Sequence, residues 1–243
     1  MAEYLVTGGS GFLGTLLVTK LLKDGHQVTS IDLLPTTLEH PRLNAVIGDI
    51  RDRAALDAIY AAFGQGWDSL DTPETPEALM GEAIWLARLV AEQMPEEPEP
   101  KGLLALMLYC SARRRARRDA DGRFVPLDRQ DARLWDRNVI IEAEGLLTTA
   151  ARAGRFGRYQ CEAAIQSVHV QRPITGHLNL SALRVLHDLL VSQSDSIGAR
   201  ISRAVVLAEL GEAGASAHYT HAIDYFFREG GGSPPIWADR KST

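Results

Sequence analysis

The sequence has few cysteines, few lysines and no long apolar run, and each shortage excludes a class of protein. Its two cysteines are Cys110 and Cys161. They lie in helix-like segments without CxxC or Cys/His spacing, so we expect reduced, buried thiols. No stretch approaches the roughly 20 apolar residues of a membrane-spanning helix. Residues 1–9 also lack the basic start and long apolar stretch of a signal peptide, and together these features predict a cytoplasmic protein.

The charge balance limits the partners further. The net charge is -5, and most basic residues are arginines. An acidic chain has no general attraction for nucleic acid or anionic lipid, so we expect no membrane partner. The basic run 113–118 could contact phosphate. We favour the alternative interpretation that this run is a solvated helix end whose arginines pair with Asp119 and Asp121.

The first quarter of the chain alternates between strand-like and helix-like segments. Short apolar or β-branched runs predict strands over 4–7, 27–33 and 45–49, and apolar residues at helical spacing predict helices over 12–23 and 52–63. This alternation with short turns predicts a parallel, doubly wound sheet within residues 1–63.

The rest of the chain is helical in character. Glycine, proline and acidic residues predict a linker over 64–78. A helical domain is predicted over 79–228, and a turn-rich, flexible tail over 229–243. The helices of this domain are predicted within 80–94, 102–118, 131–154, 159–171, 180–193 and 197–210. The fold class is therefore α/β plus all-α: a partial Rossmann-like parallel sheet, then a helical domain whose helix pairs resemble tetratricopeptide-type repeats without a fixed period.

A glycine cluster follows the first predicted strand. Gly8, Gly11 and Gly14 form a GxxGxxG pattern, and Gly9 with the last two satisfies GxGxxG. In such patterns one glycine makes the tight turn, another lets the backbone approach a pyrophosphate, and the last permits close helix–strand packing. The following helix presents free N–H groups and the positive end of its dipole. A strand before and a helix after are the context that dinucleotide binding requires.

Two acidic residues follow the later strands. Asp32 lies 18 residues after Gly14, where a carboxylate would accept hydrogen bonds from the adenosine ribose. It would repel a 2′-phosphate and no arginine follows it directly, so we favour NAD over NADP. The alternative is that Asp32 only caps a strand at a surface turn. Asp49 and Ile50 are candidates for the adenine pocket, with a helix N-cap region as the alternative.

This segment resembles the extended short-chain dehydrogenase/reductase family, the NAD-dependent nucleotide-sugar epimerases and dehydratases. The resemblance is carried by LVTGGSGFLG at 5–14, SIDLL at 30–34 and VIGDIRD at 46–52. It implies a Rossmann fold with NAD lying over Gly8, Gly11, Phe12, Leu13 and Gly14.

The chain departs from that family after residue 64. No fourth strand follows, so the first strand would be an open edge. We expect helices of the second domain to cover it, since LLALMLY at 103–109 is more apolar than an exposed helix.

The family's Tyr and Lys, four positions apart, are also missing. Tyr109 with Arg113 is the nearest substitute, but arginine does not readily give up a proton. We assign no catalytic residue, and whether the chain is an enzyme stays open.

A second resemblance covers residues 77–210. LLALMLYCSARR, DADGRFVPLDRQD, LWDR and YQCEAAIQSVH are similar to blocks in the C-terminal helical domain of one group of extracytoplasmic-function sigma factors. That family's polymerase- and promoter-binding regions are absent. The resemblance therefore implies an accessory or regulatory domain with a protein partner, and nucleic acid is not expected as a partner without those regions.

No metal site is expected. The only close histidine pair is His218 with His221, and no carboxylate or further histidine is arranged beside it. Asp128, Asp131 and Asp136 could form an acidic cluster, but helix capping is the more ordinary explanation.

Three accounts of the whole chain follow. The first is an NAD-binding protein of the epimerase/dehydratase type fused to a sigma-factor-like helical domain. The second is a non-enzymatic helical module for protein interaction or transcription regulation. The third is an artificially joined sequence without native function.

Overall fold

The chain forms two compact units, residues 1–95 and 96–243. The structure, a computed structural model, describes residues 2–49, 53–68, 75–194 and 196–212. The first unit contains strands β1 (Glu3–Thr7), β2 (Gln27–Asp32) and β3 (Leu43–Ile47), with helices α1 (Phe12–Lys23), α2 (Arg53–Asp68) and α3 (Thr75–Gln93). The second contains α4 (Pro98–Ala112), α5 (Arg137–Ala151), α6 (Arg158–Thr175), α7 (Leu180–Gln193) and α8 (Ile197–Glu209). None of these helices is long and apolar enough to cross a membrane.

The division between the units lies later than the linker expected over 64–78. Helix α2 continues through Gly64 and Gly66 to Asp68, because each glycine costs a helix only about 1 kcal/mol and need not end it. Helix α3 packs against α2, so it belongs to the first unit. The predicted tail over 229–243, with 213–228 before it, lies outside the described residues.

The three strands form a small parallel sheet in the order β1-β2-β3. The register places Tyr4 beside Val28 and Val28 beside Leu43. A small parallel sheet followed by helices agrees with the predicted Rossmann-like start and helical domain; tetratricopeptide-like packing stays a prediction. Among the described strands β1 has a neighbour on one side only.

The two faces of the sheet are covered differently. On one face Val6 and Val28 pack against Val18 and other apolar residues of α1. Since strand side chains alternate between faces, Leu5, Ile31 and Val46 point the other way. That second face lines a cleft of about 490 Å³. The residues of α2 along the cleft are alanines: Ala54, Ala55, Ala58, Ala61 and Ala62.

Helix α4 is the centre of the second unit. Leu103, Met107 and Tyr109 have no exposed surface, because α5 and α6 pack against α4. Helix α7 packs on α6 and α8 on α7 around a second core that includes Leu183. The apolar character of LLALMLY is thus explained by burial within its own unit. It no longer indicates that this segment covers the edge of β1.

Candidate functional site

The described residues of the predicted site lie at the carboxyl edge of the sheet. Gly8 follows β1, and its N–H donates to Ile31 O at 2.8 Å. Asp32 ends β2, and its carbonyl oxygen accepts from Gly48 N at 2.9 Å. Asp49 follows Gly48, just beyond β3. Doubly wound proteins bind their ligands outside the carboxyl ends of parallel strands, and this chain brings its candidates to that edge.

The glycines of the loop have distinct structural reasons. Gly8 has a φ of +70°, which suits glycine and turns the chain out of β1. A Cβ on Gly14 would lie 1.9 Å from Gly8 O, and one on Gly9 would lie 2.0 Å from Ser30 Oγ. A Cβ on Gly11 would meet only Gly8 O, at 3.3 Å. The loop is therefore closed on the helix and strand side and open on the outer side of Gly11.

Helix α1 starts at this loop without a side-chain cap. Thr15 N is its first amide to donate within the chain, to Gly11 O at 2.8 Å. The N–H groups of Phe12, Leu13 and Gly14 precede it, and they have no acceptor in the part of the chain that the structure describes. Three free donors at the positive end of a helix dipole form a favourable place for an anion.

Asp32 is held against the glycine loop. Its Oδ2 accepts from Ser10 N at 2.9 Å, and its Oδ1 accepts from Leu34 N at 3.1 Å. Backbone N–H groups, that of Leu34 first and that of Ser10 next, hold the pKa of this carboxyl below its usual range. Because a carboxylate has about four acceptor positions, two hydrogen bonds leave capacity for the two hydroxyls of a ribose.

The adenine candidates are only partly described. Asp49 is half-buried and lies on the rim of the cleft between the sheet and α2. Ile50 lies outside the described residues. Their role stays a prediction.

The geometry of Tyr109 and Arg113 does not suit an acid/base pair. Arg113 Nε donates to the backbone oxygen of Tyr109 at 3.1 Å, and the tyrosine is fully buried. Burial, with the Glu144 carboxylate nearby, raises the pKa of Tyr109. A phenol with a raised pKa is harder to ionise, which is the opposite of what proton transfer requires.

Two of the three acidic residues before α5 act as caps, whereas Asp128 lies within the 3-10 turn Leu127–Arg129 and caps none of the described helices. Asp136 accepts from Asn138 N and Val139 N, and Asp131 accepts from Arg133 N. No group of three metal-binding side chains occurs within the described residues. His218 and His221 lie outside them.

The arginine run and the cysteines also have structural explanations. Arg113 is buried. Asp121 was expected to pair with an arginine of the run 113–118, but it pairs with Arg123 at 2.9 Å. Both cysteines are free. Burial raises the pKa of Cys110, and that of Cys161 to about 12, so both remain thiols at neutral pH.

One residue of the site was not identified from the sequence. Ser10 donates its N–H to Asp32 and its hydroxyl, at 2.8 Å, to Leu34 O. These partners are 22 and 24 residues away along the chain, so no local spacing indicates the contact. The only signal in the sequence is a hydroxyl within the glycine loop.

Two family models match parts of the chain. Residues 4–65 match the NAD dependent epimerase/dehydratase family. Residues 51–151 match DUF6596, a family of unknown function. The first match covers the sheet and most of α2, so the beginning of the chain is epimerase/dehydratase-like.

Individual proteins are also similar to parts of the chain. An uncharacterized protein of Rhizobium meliloti (strain 1021) is 37% identical over 157 residues, which are 64% of this chain and 37% of that protein. A 3-beta-hydroxysteroid dehydrogenase of Mycolicibacterium neoaurum is 55% identical over 51 residues, 21% of this chain and 14% of that protein. A UDP-glucose 4-epimerase of Neisseria meningitidis serogroup B is 44% identical over 71 residues, 25% of this chain and 21% of that protein.

The chain thus spans well under half the length of each of these relatives. No solved structure matches it significantly. The comparisons give no support to an artificially joined sequence.

Proposed function

We propose that the first unit binds NAD at the carboxyl edge of its sheet. The observation that carries this proposal is the close contact of Gly14 with Gly8, which places the free N–H groups of α1 directly beyond β1. The match of residues 4–65 to an NAD-dependent family supports it. When bound, NAD would supply a hydride acceptor or donor. We assign no reaction to this chain.

Each candidate residue has a part in this proposal. Gly8 and Gly11 would lie beneath the pyrophosphate, which the N–H groups at the start of α1 would bind. The Asp32 carboxylate would accept from the ribose hydroxyls, and its charge would disfavour the 2′-phosphate of NADP. Asp49 and Ile50 would line the adenine pocket. The backbone and acidic groups of this edge thus match the parts of NAD in order.

Calorimetric titration of the full chain with NAD tests the proposal. We expect saturable binding of NAD, weaker binding of NADP, and loss of both in Gly11→Val, whose side chain would occupy the open side of the loop. Gly145→Ala is the matched control, because nothing lies within 4 Å of a Cβ at that position. No binding at about 1 mM NAD, a concentration that detects even weak sites, would rule the function out.

For the helical unit we propose a sigma-factor-like accessory role in protein interaction. The blocks that resemble the sigma-factor domain include α4, which is buried, and the segment 119–131, which is largely exposed. The exposed block is the candidate contact surface, with Phe124 held beneath the Arg117 guanidinium, 5.7 Å from its ring centre. Because the regions that bind core polymerase are absent, the partner is expected to be another protein. We expect the full chain to co-elute with a protein of a bacterial lysate and Phe124→Ala to weaken this. Separate elution of the unmodified chain would exclude that role.

A further inference from the structure

We propose that Ser10 is a positioning residue that fixes the ribose-binding turn, residues 32–34, relative to the glycine loop. This inference rests on the proposed function, because it concerns how the two halves of the dinucleotide site are held together. Ser10 does not need to contact the ligand. It acts through Asp32.

Ser10 joins the two segments by both its backbone and its side chain. Its N–H donates to Asp32 Oδ2 at 2.9 Å, and its Oγ donates to Leu34 O at 2.8 Å. The turn closes on itself because Leu34 N donates to Asp32 Oδ1 at 3.1 Å. Three hydrogen bonds thus form a ring that includes the carboxylate proposed to hold the ribose.

The ring determines which donors remain for the pyrophosphate. Ser10 N is used by Asp32, and Gly11 N donates to Gly8 O at 3.1 Å. The next amides, those of Phe12, Leu13 and Gly14, have no acceptor among the described residues. The amides of Ser10 and Gly11 are therefore occupied within the loop, and the free donors begin at Phe12.

A ligand that spans both places depends on their separation. In NAD and ADP-ribose a few bonds join the adenosine ribose to the pyrophosphate and limit their separation. A preformed distance between Asp32 and α1 therefore reduces the ordering that binding must supply. If the Oγ bond is lost, Leu34 is no longer tied to the glycine loop directly, and the turn 32–34 is linked to Ser10 through Asp32 alone among the described contacts. Binding then has to restrain the turn.

The test is a double-mutant cycle with ADP-ribose as the probe, measured by calorimetry on the full chain. We expect Ser10→Ala to weaken binding about fivefold, the value of one ordinary hydrogen bond. Ser10→Thr, which keeps the hydroxyl, should restore most of the affinity. Thr19→Ala is the control, because it removes a hydroxyl that donates to Thr15 O within α1 and should leave binding unchanged.

The second arm of the cycle repeats Ser10→Ala in an Asp32→Asn chain. If Ser10 acts through Asp32, its replacement there should change the residual affinity by less than about twofold. Equal losses in both backgrounds, or no loss in the unmodified background, would overturn the inference and leave NAD binding intact. Failure of the unmodified chain to bind ADP-ribose would instead overturn the proposed function, and the inference with it.

Discussion

At the residue scale, two glycines of one motif have different tasks. A Cβ at Gly14 would lie 1.9 Å from a backbone oxygen that cannot move aside, whereas at Gly11 it would lie 3.3 Å from the same atom. The first position is required by packing. The second leaves open the side where the pyrophosphate is proposed to lie.

We expect Gly14→Ala to destabilise the first unit by about 3 kcal/mol or more, as severe overpacking does. Gly11→Ala should cost less than about 1 kcal/mol, the usual size of an N-cap change, yet weaken NAD binding. Hydrogen exchange of the β2 amides measures both stabilities. Equal destabilisation by the two substitutions would contradict the assignment of their roles.

Glu99 connects α4 to the start of α6. Its carboxylate accepts from Tyr159 N at 3.0 Å and Gln160 N at 3.1 Å, and both of those residues are buried. We expect Glu99→Ala to lower the free energy of unfolding of the second unit by about 2 kcal/mol, because two buried amides lose their acceptor. Glu99→Gln, which keeps one acceptor oxygen, should lose less.

Hydrogen exchange of the α6 amides measures the Glu99 effect. The exposed Glu209, at the end of α8, provides the matched control, since its replacement by alanine removes no acceptor of a buried amide. If Glu99→Ala were no more destabilising than Glu209→Ala, the hydrogen bonds of Glu99 to α6 would contribute nothing to stability.

His169 makes the second unit sensitive to acid. Burial, followed by the nearby charge of Arg113, His187 and Arg172, lowers its pKa from 6.5 to about 4. The unfolded chain therefore binds a proton before the folded chain does. Stability should be constant above about pH 6.5 and fall as the pH drops towards 4, by up to about 3 kcal/mol.

Urea unfolding at several pH values, followed by circular dichroism, checks this dependence. His169→Gln should flatten it. Because burial also lowers the pKa of His187, the stability of that variant should still depend on pH, but more weakly. An identical pH profile with and without His169 would show that its protonation does not govern acid stability.

At the element scale, local patterns predicted elements better than boundaries. The predicted helix 12–23 coincides with α1, because a glycine loop precedes it and Asp24-Gly25 follows its apolar stripe. The third strand was predicted over 45–49 and lies over Leu43–Ile47. Its start depends on pairing with Val28, a contact that the segment's own residues do not reveal.

The predicted helix 102–118 was wrong at both ends for a similar reason. Helix α4 begins at Pro98, which suits the first turn of a helix, and ends at Ala112. Arg113 turns back to bond Tyr109 O and Gln166. The next two arginines begin a short 3-10 turn, Arg114–Ala116, and Arg117 and Arg118 lie beyond it. Tertiary contacts of this kind override helix propensity.

Strand β1 carries a prediction about its free edge. Ala2 O accepts from Gln27 N, and Gly8 N donates to Ile31 O, so the backbone groups of Tyr4 and Val6 face β2. Those of Leu5 and Thr7 face away, where no described strand lies. Amide exchange should therefore be slow at Tyr4 and Val6 and fast at Leu5 and Thr7. Slow exchange at all four would show that a partner or another part of the chain pairs with this edge.

At the scale of the whole molecule, the sequence predicted the two classes of structure but misplaced their junction. Glycines at 64 and 66 were interpreted as a break, although helix α2 passes through them. Helix α3 joins the first unit because it packs against α2. The glycine loop and Asp32 could be selected from the sequence, since glycine spacing and an acidic strand end are local signals, and their role in binding stays a prediction. The Ser10 ring required the fold.

Backbone NMR of the isotopically labelled full chain during titration with NAD tests the central claim most directly. We expect saturable shifts at Gly8, Gly11 to Gly14 and Asp32, with the amides of α5 to α8 unchanged. Absence of shifts at the glycine loop, or saturable shifts confined to the helical unit, would contradict dinucleotide binding at the edge of this sheet.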